Sequence, residues 1–443
     1  MTLDIALSGE WITIGTWGGD GATGAFQGHF DGDGHTVTGL QVTTGGDRGL
    51  FGWVKNATIK NLIVHTNATG ISGNIETGDN YAILAGSAGN GWIDGNTTIE
   101  NCVVSGTVNG SAVCGALVGQ SSHITVLNCQ SENVTIKGTR WNISGLIGVI
   151  GCLYNQATIT GSSATSTINS FGDCAGFVGL KLTTGIISHC KAFANIKARN
   201  YTTIVGGFVA YNEGSGVIDN CLFAGSIEVE NPGLAEFTNA KVGGFTGRSW
   251  ARITNSAALA VINNKIENDR VWGTGGFVGA LNDESKSGTL ENCWFSGSVK
   301  GNGIVGGMVG FSNIINGSGE IKNCYVMADV EVNGTAGGGF AGLVANGSPA
   351  ITNAYFTGNI TGADGAFAGS FAGYAEAGAV LNNCAVQTVA GLENIAVDEG
   401  SLSVTAIAAS DLKKQNAWPA AWFASDFIIQ EEKTYPYFAT QLK

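Results

Sequence analysis

The stretch IKNCYVMADVEVNGTAGGGFAG, Ile321 to Gly342, contains two short words whose recurrence decides the fold. The first is Ile-x-Asn-Cys, ending at Cys324; the second is GGFAG, ending at Gly342. Between them Cys324, Val326, Ala328 and Val330 alternate with Tyr325, Met327, Asp329 and Glu331. Apolar or small residues at every second position mark a strand with one buried face. Ile321, two residues before Asn323, breaks that parity, so a corner is expected between the isoleucine and the cysteine. Asn suits a corner because it tolerates left-handed backbone and caps its own turn.

Both words recur. The Gly-ending block appears as RGLFG (Gly52), AILAG (Gly86), GALVG (Gly119), SGLIG (Gly148), AGFVG (Gly179) and GGFVA (Ala210). It continues as GGFTG (Gly247), GGFVG (Gly279), GGMVG (Gly310), GGFAG (Gly342) and GSFAG (Gly373). The spacing is about 32 residues, a period that belongs to repeat architectures. The Asn-Cys word falls between these blocks at Asn101-Cys102, Asn128-Cys129, Asn220-Cys221, Asn292-Cys293, Asn323-Cys324 and Asn383-Cys384. Variants stand at Asn61-Leu62, His189-Cys190, Asn255-Ser256 and Asn353-Ala354, and Gly161-Ser162 occupies the slot in a degenerate repeat. Each repeat therefore reads as one coil of two or three short strands.

Composition supports this reading. The 443 residues include 70 Gly, 4 Pro and only 12% charged residues, while 44% are hydrophobic, so neither a charged helical surface nor a disordered chain is indicated. Coils of this period without an amphipathic helix stack as a parallel β-solenoid, whereas a propeller needs longer repeats and its own signature dipeptides. The expected fold is all-β: a single parallel β-helix of about eleven coils with caps at both ends. Residues 1–47 read as an N-terminal cap or first coil, 48–390 as the repeats, and 391–443 as a C-terminal cap. That last segment carries Trp418, Trp422, Phe423, Phe427, Tyr435 and Tyr437, expected to pack on the last coil.

The blocks GALVG, GGFVG and their kin resemble GLUG-motif repeats. The N-terminal FQGHFDGDGHTVTGL and the terminal W…W…YPYF resemble segments that flank such repeats. Such repeats occur in adhesin-like bacterial and archaeal surface proteins and in the non-catalytic part of IgA-cleaving metallopeptidases. The resemblance implies a parallel β-helix and an exported protein, but no single activity, because function resides in sites carried on folds. The peptidase zinc motif H-E-x-x-H is absent, since no His here is followed by Glu.

A net charge of −13 argues against nucleic acid as a partner, and no apolar stretch is long enough to insert into a membrane. The opening MTLDIALSGEW has no basic or apolar leader, and a signal peptide removed upstream is expected. Most Cys lie a full repeat apart, which does not match a zinc-site spacing. Stacked coils would bring equivalent Cys within disulfide range. Ser, Ala and Leu share the slot, however, which favours free thiols packed as small hydrophobes. Cys114 and Cys174 share another slot, and Cys152 stands alone. The Asn column is expected to hydrogen-bond along the solenoid, with His189 in the same role. Asp31, Asp33 and His35 in FDGDGHT lack the ligand array of a calcium loop and read as a tight turn.

Trp294, Tyr325 and Tyr355 follow the Cys slot on three consecutive coils. They are expected to face outward as a strip, either as a platform for a glycan or protein, or as cover for the sheet or packing under a loop. Carboxylates for a polysaccharide hydrolase or lyase could only come from the longer loops around 228–241 and 263–272. Those loops carry Glu230, Glu236, Asp269 and Arg270, with Arg248 and Arg252 between them. The slot before the Asn, which reads Lys60, Glu100, Leu127, Ser188, Asp219, Thr254, Glu291, Lys322, Thr352 and Asn382, does not carry the Thr array of an ice-binding solenoid. The expected function is a non-catalytic, secreted or cell-surface adhesin-like module that binds a glycan or protein. It is expected to be monomeric and to use no cofactor or metal. A carbohydrate-active enzyme, or the non-catalytic part of a larger surface enzyme, is the alternative.

Overall fold

A computed structural model describes the chain except for residues 18–23, 74–78, 90–95, 152–155, 200–203, 231–239, 267–272, 282–287, 313–318, 425–426, 431 and 439–443. The fold is a parallel β-solenoid of about eleven turns, 58% strand and 3% helix, so the helical architectures are excluded. Two compact units divide the chain, Met1–Phe237 and Thr238–Lys443.

In the first unit one coil illustrates the rest. Strand Thr97–Glu100 leads to Asn101, and strand Val103–Gly110 follows. A two-residue strand, Val113–Cys114, precedes the GALVG block, and Val118–Ser121 completes the turn. Four strands per coil replace the expected two or three. The additional corner lies inside the Gly-ending block, where small residues let the chain turn between two very short strands. Successive copies pair in parallel, as Val103–Gly110, Gln130–Gly138, Ser163–Ser170, Lys191–Arg199 and Leu222–Glu230 do in order.

Every predicted corner has the conformation that Asn was chosen for. Asn61, Asn101, Asn128, His189 and Asn220 have φ between 49° and 55°, as do Asn255, Asn292, Asn323, Asn353 and Asn383 in the second unit. Left-handed backbone costs an ordinary L-residue about 1–2 kcal/mol; Asn adopts it with local hydrogen-bonding help. Gly161, in the degenerate repeat, has φ 65°, so the glycine preserves the corner without the side chain. The amides then link coil to coil. Asn101 Nδ2 donates to Asn61 Oδ1 at 3.2 Å, and in the second unit Asn323 donates to Asn292 at 3.1 Å and Asn353 to Asn323 at 3.0 Å.

The terminal Gly of the second word has a different cause. A Cβ at Gly119 would sit 2.5 Å from the Gly86 carbonyl oxygen, and one at Gly148 would sit 2.6 Å from that of Gly119. In the second unit the same clash recurs at Gly310, 2.7 Å from the Gly279 oxygen, and at Gly342, 2.5 Å from the Gly310 oxygen. Neighbouring coils approach too closely there for any side chain. Ala210 is the exception, its methyl packed with Ala175 and Ile204.

The second unit repeats the pattern through Ala257–Asn264, Trp294–Gly301 and Glu320–Val332, with Ala350–Thr357 and Ile360–Gly362 both pairing onto the last of these. Its core is filled by stacked rings from the Gly-ending block. Phe245 and Phe277 lie 4.7 Å apart at 7°, and Phe340 and Phe371 lie 5.0 Å apart at 2°. The first unit has an equivalent pair, Phe177 and Phe208, at 4.5 Å. Stacking identical rings at the coil repeat buries large apolar area with the ring contacts aligned. Coil pairing continues past residue 391, through Ile395–Asp398 and Thr405–Ile407. Three short 3-10 turns and an antiparallel pair, Phe427–Ile428 with Tyr437–Phe438, follow.

Candidate ligand-binding surfaces

The cysteine column faces inward. All nine described cysteines are buried free thiols; Cys152 lies outside the described residues. Cys324 Sγ lies 3.3 Å from the Lys322 carbonyl oxygen and 3.8 Å from that of Leu290 on the preceding coil. Burial pushes the thiols of Cys129, Cys221 and Cys324 well up, and that of Cys384 to about 12. Cys114 and Cys174, in their separate slot, are also raised by burial. Cys102 differs, because a hydrogen bond from the Cys129 thiol pulls it below its ordinary value. A thiol held protonated is a poor nucleophile and a poor metal ligand, so the raised thiols pack the core.

The aromatic strip forms as a stack, but its expected exposure is corrected. Trp294, Tyr325 and Tyr355 stand in register on the sheet's outer face. Trp294 and Tyr325 lie 5.8 Å apart at 5°, and Tyr325 and Tyr355 lie 5.1 Å apart at 4°. Yet Tyr325 is 3% and Tyr355 0% exposed, and only Trp294 is half-buried. The C-terminal segment covers them. Tyr355 meets Trp418 edge-on at 5.0 Å, Tyr325 meets Phe438 at 5.2 Å, and the Tyr355 hydroxyl donates to the Pro436 carbonyl at 2.5 Å. Trp422, fully buried, donates from Nε1 to the Asn383 carbonyl at 2.9 Å. The segment thus lies along the flank of several coils, where the strip supplies apolar area, and does more than close the last coil. Burial holds the Tyr355 hydroxyl far above its ordinary pKa.

Beside that contact an open pocket of about 320 Å³ remains, walled by Tyr325, Met327, Tyr435 and Tyr437 and carrying Lys413 and Lys433. Nothing in the repeat pattern predicts it, because most of its wall comes from the non-repeating segment.

Among the described residues, the outer face of the first unit is open at Phe193. Phe193 is 41% exposed and lines a groove of about 300 Å³ with Thr165, Thr167, Asn195 and the backbone near Gly225. Ser226 Oγ donates to Asn195 Oδ1 at 2.8 Å, which fixes that amide. The sequence signal was available: an aromatic at an odd, outward offset, next to a small Ala224 on the following coil.

The remaining candidates resolve into structure. Asp31 accepts from the Asp33 N–H and from Asn61 Nδ2, and pairs with Lys60 at 3.2 Å. These contacts, the Asp33 hydrogen bond first, pull its carboxyl down to about 2. Asp33 itself turns at φ 53°, and His35 sits 3.1 Å from Asp4. Glu230 pairs with Arg199 at 3.6 Å, Arg252 with Glu291, and Arg248 lies 4.1 Å over Trp250. Glu236, Asp269 and Arg270 lie outside the described residues. Among the described residues no three His, Cys, Asp or Glu side chains group as metal ligands, and no helix is long and apolar enough to cross a membrane.

One buried cation stands out in the first unit. Lys181 is fully buried, and its ammonium donates to the carbonyls of Gly216 at 3.1 Å and Glu213 at 3.4 Å. Burial lowers its pKa to about 7. Asp173, also buried, accepts from the Ile204 N–H at 2.8 Å and from the Tyr211 hydroxyl at 2.9 Å, and desolvation raises it to about 6.

No family model matches the chain. Over 112 residues, a quarter of the chain, it is 32% identical to Halomucin from Haloquadratum walsbyi (strain DSM 16790 / HBSQ001). The matched stretch covers only 1% of that protein's length. No solved structure matches.

Proposed function

We propose that this chain is a GLUG-type repeat module of a cell-surface or secreted protein, adhesin-like and non-catalytic, that recognises a glycan. The observation that carries the reading is the groove at Phe193. An exposed aromatic face flanked by Thr165, Thr167 and Asn195 offers what a sugar ring needs, a flat apolar surface for its C–H face and hydrogen-bonding groups for its hydroxyls. The parallel sheet beneath holds these side chains at fixed spacing, which lowers the ordering cost of binding. The partial likeness to Halomucin supports a surface setting. Trp294, Tyr325 and Tyr355 serve the C-terminal segment in this reading, and ligand recognition passes to other surfaces.

The test is a glycan-array screen of the purified protein beside Phe193→Ala. Binding to a defined set of glycans, reduced at least about tenfold by the substitution, is expected. Binding untouched by Phe193→Ala rules out the groove, and a protein that binds no glycan rules out the reading.

A further inference from the structure

The pocket beside the C-terminal segment has a chemistry unlike the rest of the chain. Acidic residues outnumber Lys and Arg by 34 to 21, yet this pocket is lined by two lysines and, among the described residues, no carboxylate. Both lysines are exposed, and among the described residues neither ammonium is paired with an acid. Lys413 lies 5.8 Å from the centre of the Tyr435 ring, a loose cation–π contact that leaves its donors for other partners. The two lysine-bearing segments are tied together, since the Glu432 N–H donates to the Lys413 carbonyl at 2.8 Å. The turn before Tyr435 is fixed as well: Thr434 Oγ1 accepts from the Gln430 N–H at 2.8 Å, and the Lys433 N–H donates to Gln430 O at 2.9 Å. Tyr437 takes a hydrogen bond from Gln430 Nε2 at 3.2 Å.

We infer that this pocket binds a carboxylated sugar, a hexuronic acid unit of an acidic polysaccharide. The inference rests on the glycan-binding reading and names a ligand class for a second site. The volume is at the small end of ligand sites, enough for one or two rings and too small for a folded partner. The tyrosine and methionine walls accept the C–H face of a pyranose. The ammonium groups of Lys413 and Lys433 take the carboxylate through charge-assisted hydrogen bonds. The chain's overall negative charge does not forbid this, because at physiological salt charges beyond about 8 Å are largely screened.

The experiment is isothermal titration of the full chain with tetragalacturonate, with a neutral tetrasaccharide of the same length, and with inorganic phosphate. The measurements are repeated on a Lys413→Gln/Lys433→Gln variant and on Phe193→Ala. The lysines are exposed, and near-UV circular dichroism confirms that the double variant is folded. The expected result is binding of the acidic oligosaccharide at least about tenfold tighter than the neutral one, lost in the double lysine variant and kept in Phe193→Ala. Three results would overturn the inference: no acidic preference, acidic binding unchanged without the lysines, or phosphate displacing the ligand as effectively as the oligosaccharide does. If the acidic binding fails in one of these ways while a neutral glycan is lost in Phe193→Ala and kept in the lysine variant, the surface reading stands and this site falls.

Discussion

Outward-facing slots on the same kind of coil have opposite fates in the two units. In the first, the residue three after the Cys slot is Thr165, Phe193 and Ala224 on successive coils, and Thr165 and Phe193 stay exposed. Next to them run ion pairs between coils, Lys197 with Glu228 at 3.3 Å and Arg199 with Glu230 at 3.6 Å. In the second, the residue after the Cys slot is Trp294, Tyr325 and Tyr355, and an aromatic segment lies over them. The difference lies in the apolar area offered. A lone ring on a polar face is an ordinary surface residue, whereas three stacked rings expose a contiguous patch that the chain gains by covering.

The sharpest way to break this contrast is to remove a covered ring. Tyr355→Ala should cost about 3–5 kcal/mol in urea unfolding, the range for deleting a buried aromatic, and should make residues 409–438 sensitive to limited proteolysis. A loss below about 1 kcal/mol would mean that the segment does not depend on the strip. Next in size is the corner. Asn323→Ala should cost about 2–3 kcal/mol, combining left-handed strain with the lost amide bonds to Asn292 and from Asn353. Asn323→Gly should recover the strain part, and equal costs for both variants would show that backbone conformation is not what Asn supplies there.

A third test uses Lys181 in the open-faced unit. Its folded pKa, about 7 against 10.5, means the unfolded chain binds more protons between those values. Stability should therefore rise with pH across this window, by up to about 1.4 kcal/mol per pH unit. The window to measure is pH 7 to 9, because above 9 the thiols that burial raises, such as Cys129 and Cys324, work in the opposite direction, ionising only when unfolded. Asp173 contributes no opposing trend there. Its raised pKa of about 6 means that its loss of stability with rising pH is complete lower down. Denaturant titrations of Lys181→Met should show the rise flattened; an unchanged slope would place its origin elsewhere. The smallest effect on folding is expected at Phe193→Ala, within about 0.5 kcal/mol, against the several kcal/mol at Tyr355. A large loss there would make Phe193 a structural ring and erase the contrast.

Legibility in the sequence followed the range of the interaction. The Asn corners could be read because one residue's backbone preference repeats at each turn, and even the substitute Gly161 meets the same φ requirement. The Gly-ending block could be read as a repeat, but the reason for its last glycine, a carbonyl of the preceding coil about 2.5 Å from any Cβ, is a contact between coils. The four strands per coil were missed because strands such as Val113–Cys114 are two residues long, too short to display a period. Of the candidate surfaces, the stacking of Trp294, Tyr325 and Tyr355 was legible, and which segment would cover them was not.

By itself the sequence determined the solenoid, its period, its corners and which side of each strand faces inward. Those properties come from local backbone demands and period-two alternation repeated coil after coil. Only the tertiary structure decided which outward faces stay open. The cover over Tyr355 comes from Pro436, 81 positions away, in a segment that obeys no repeat. The lysine pocket exists only where that segment meets the sheet, so its walls are neighbours in space with no pattern along the chain to announce them.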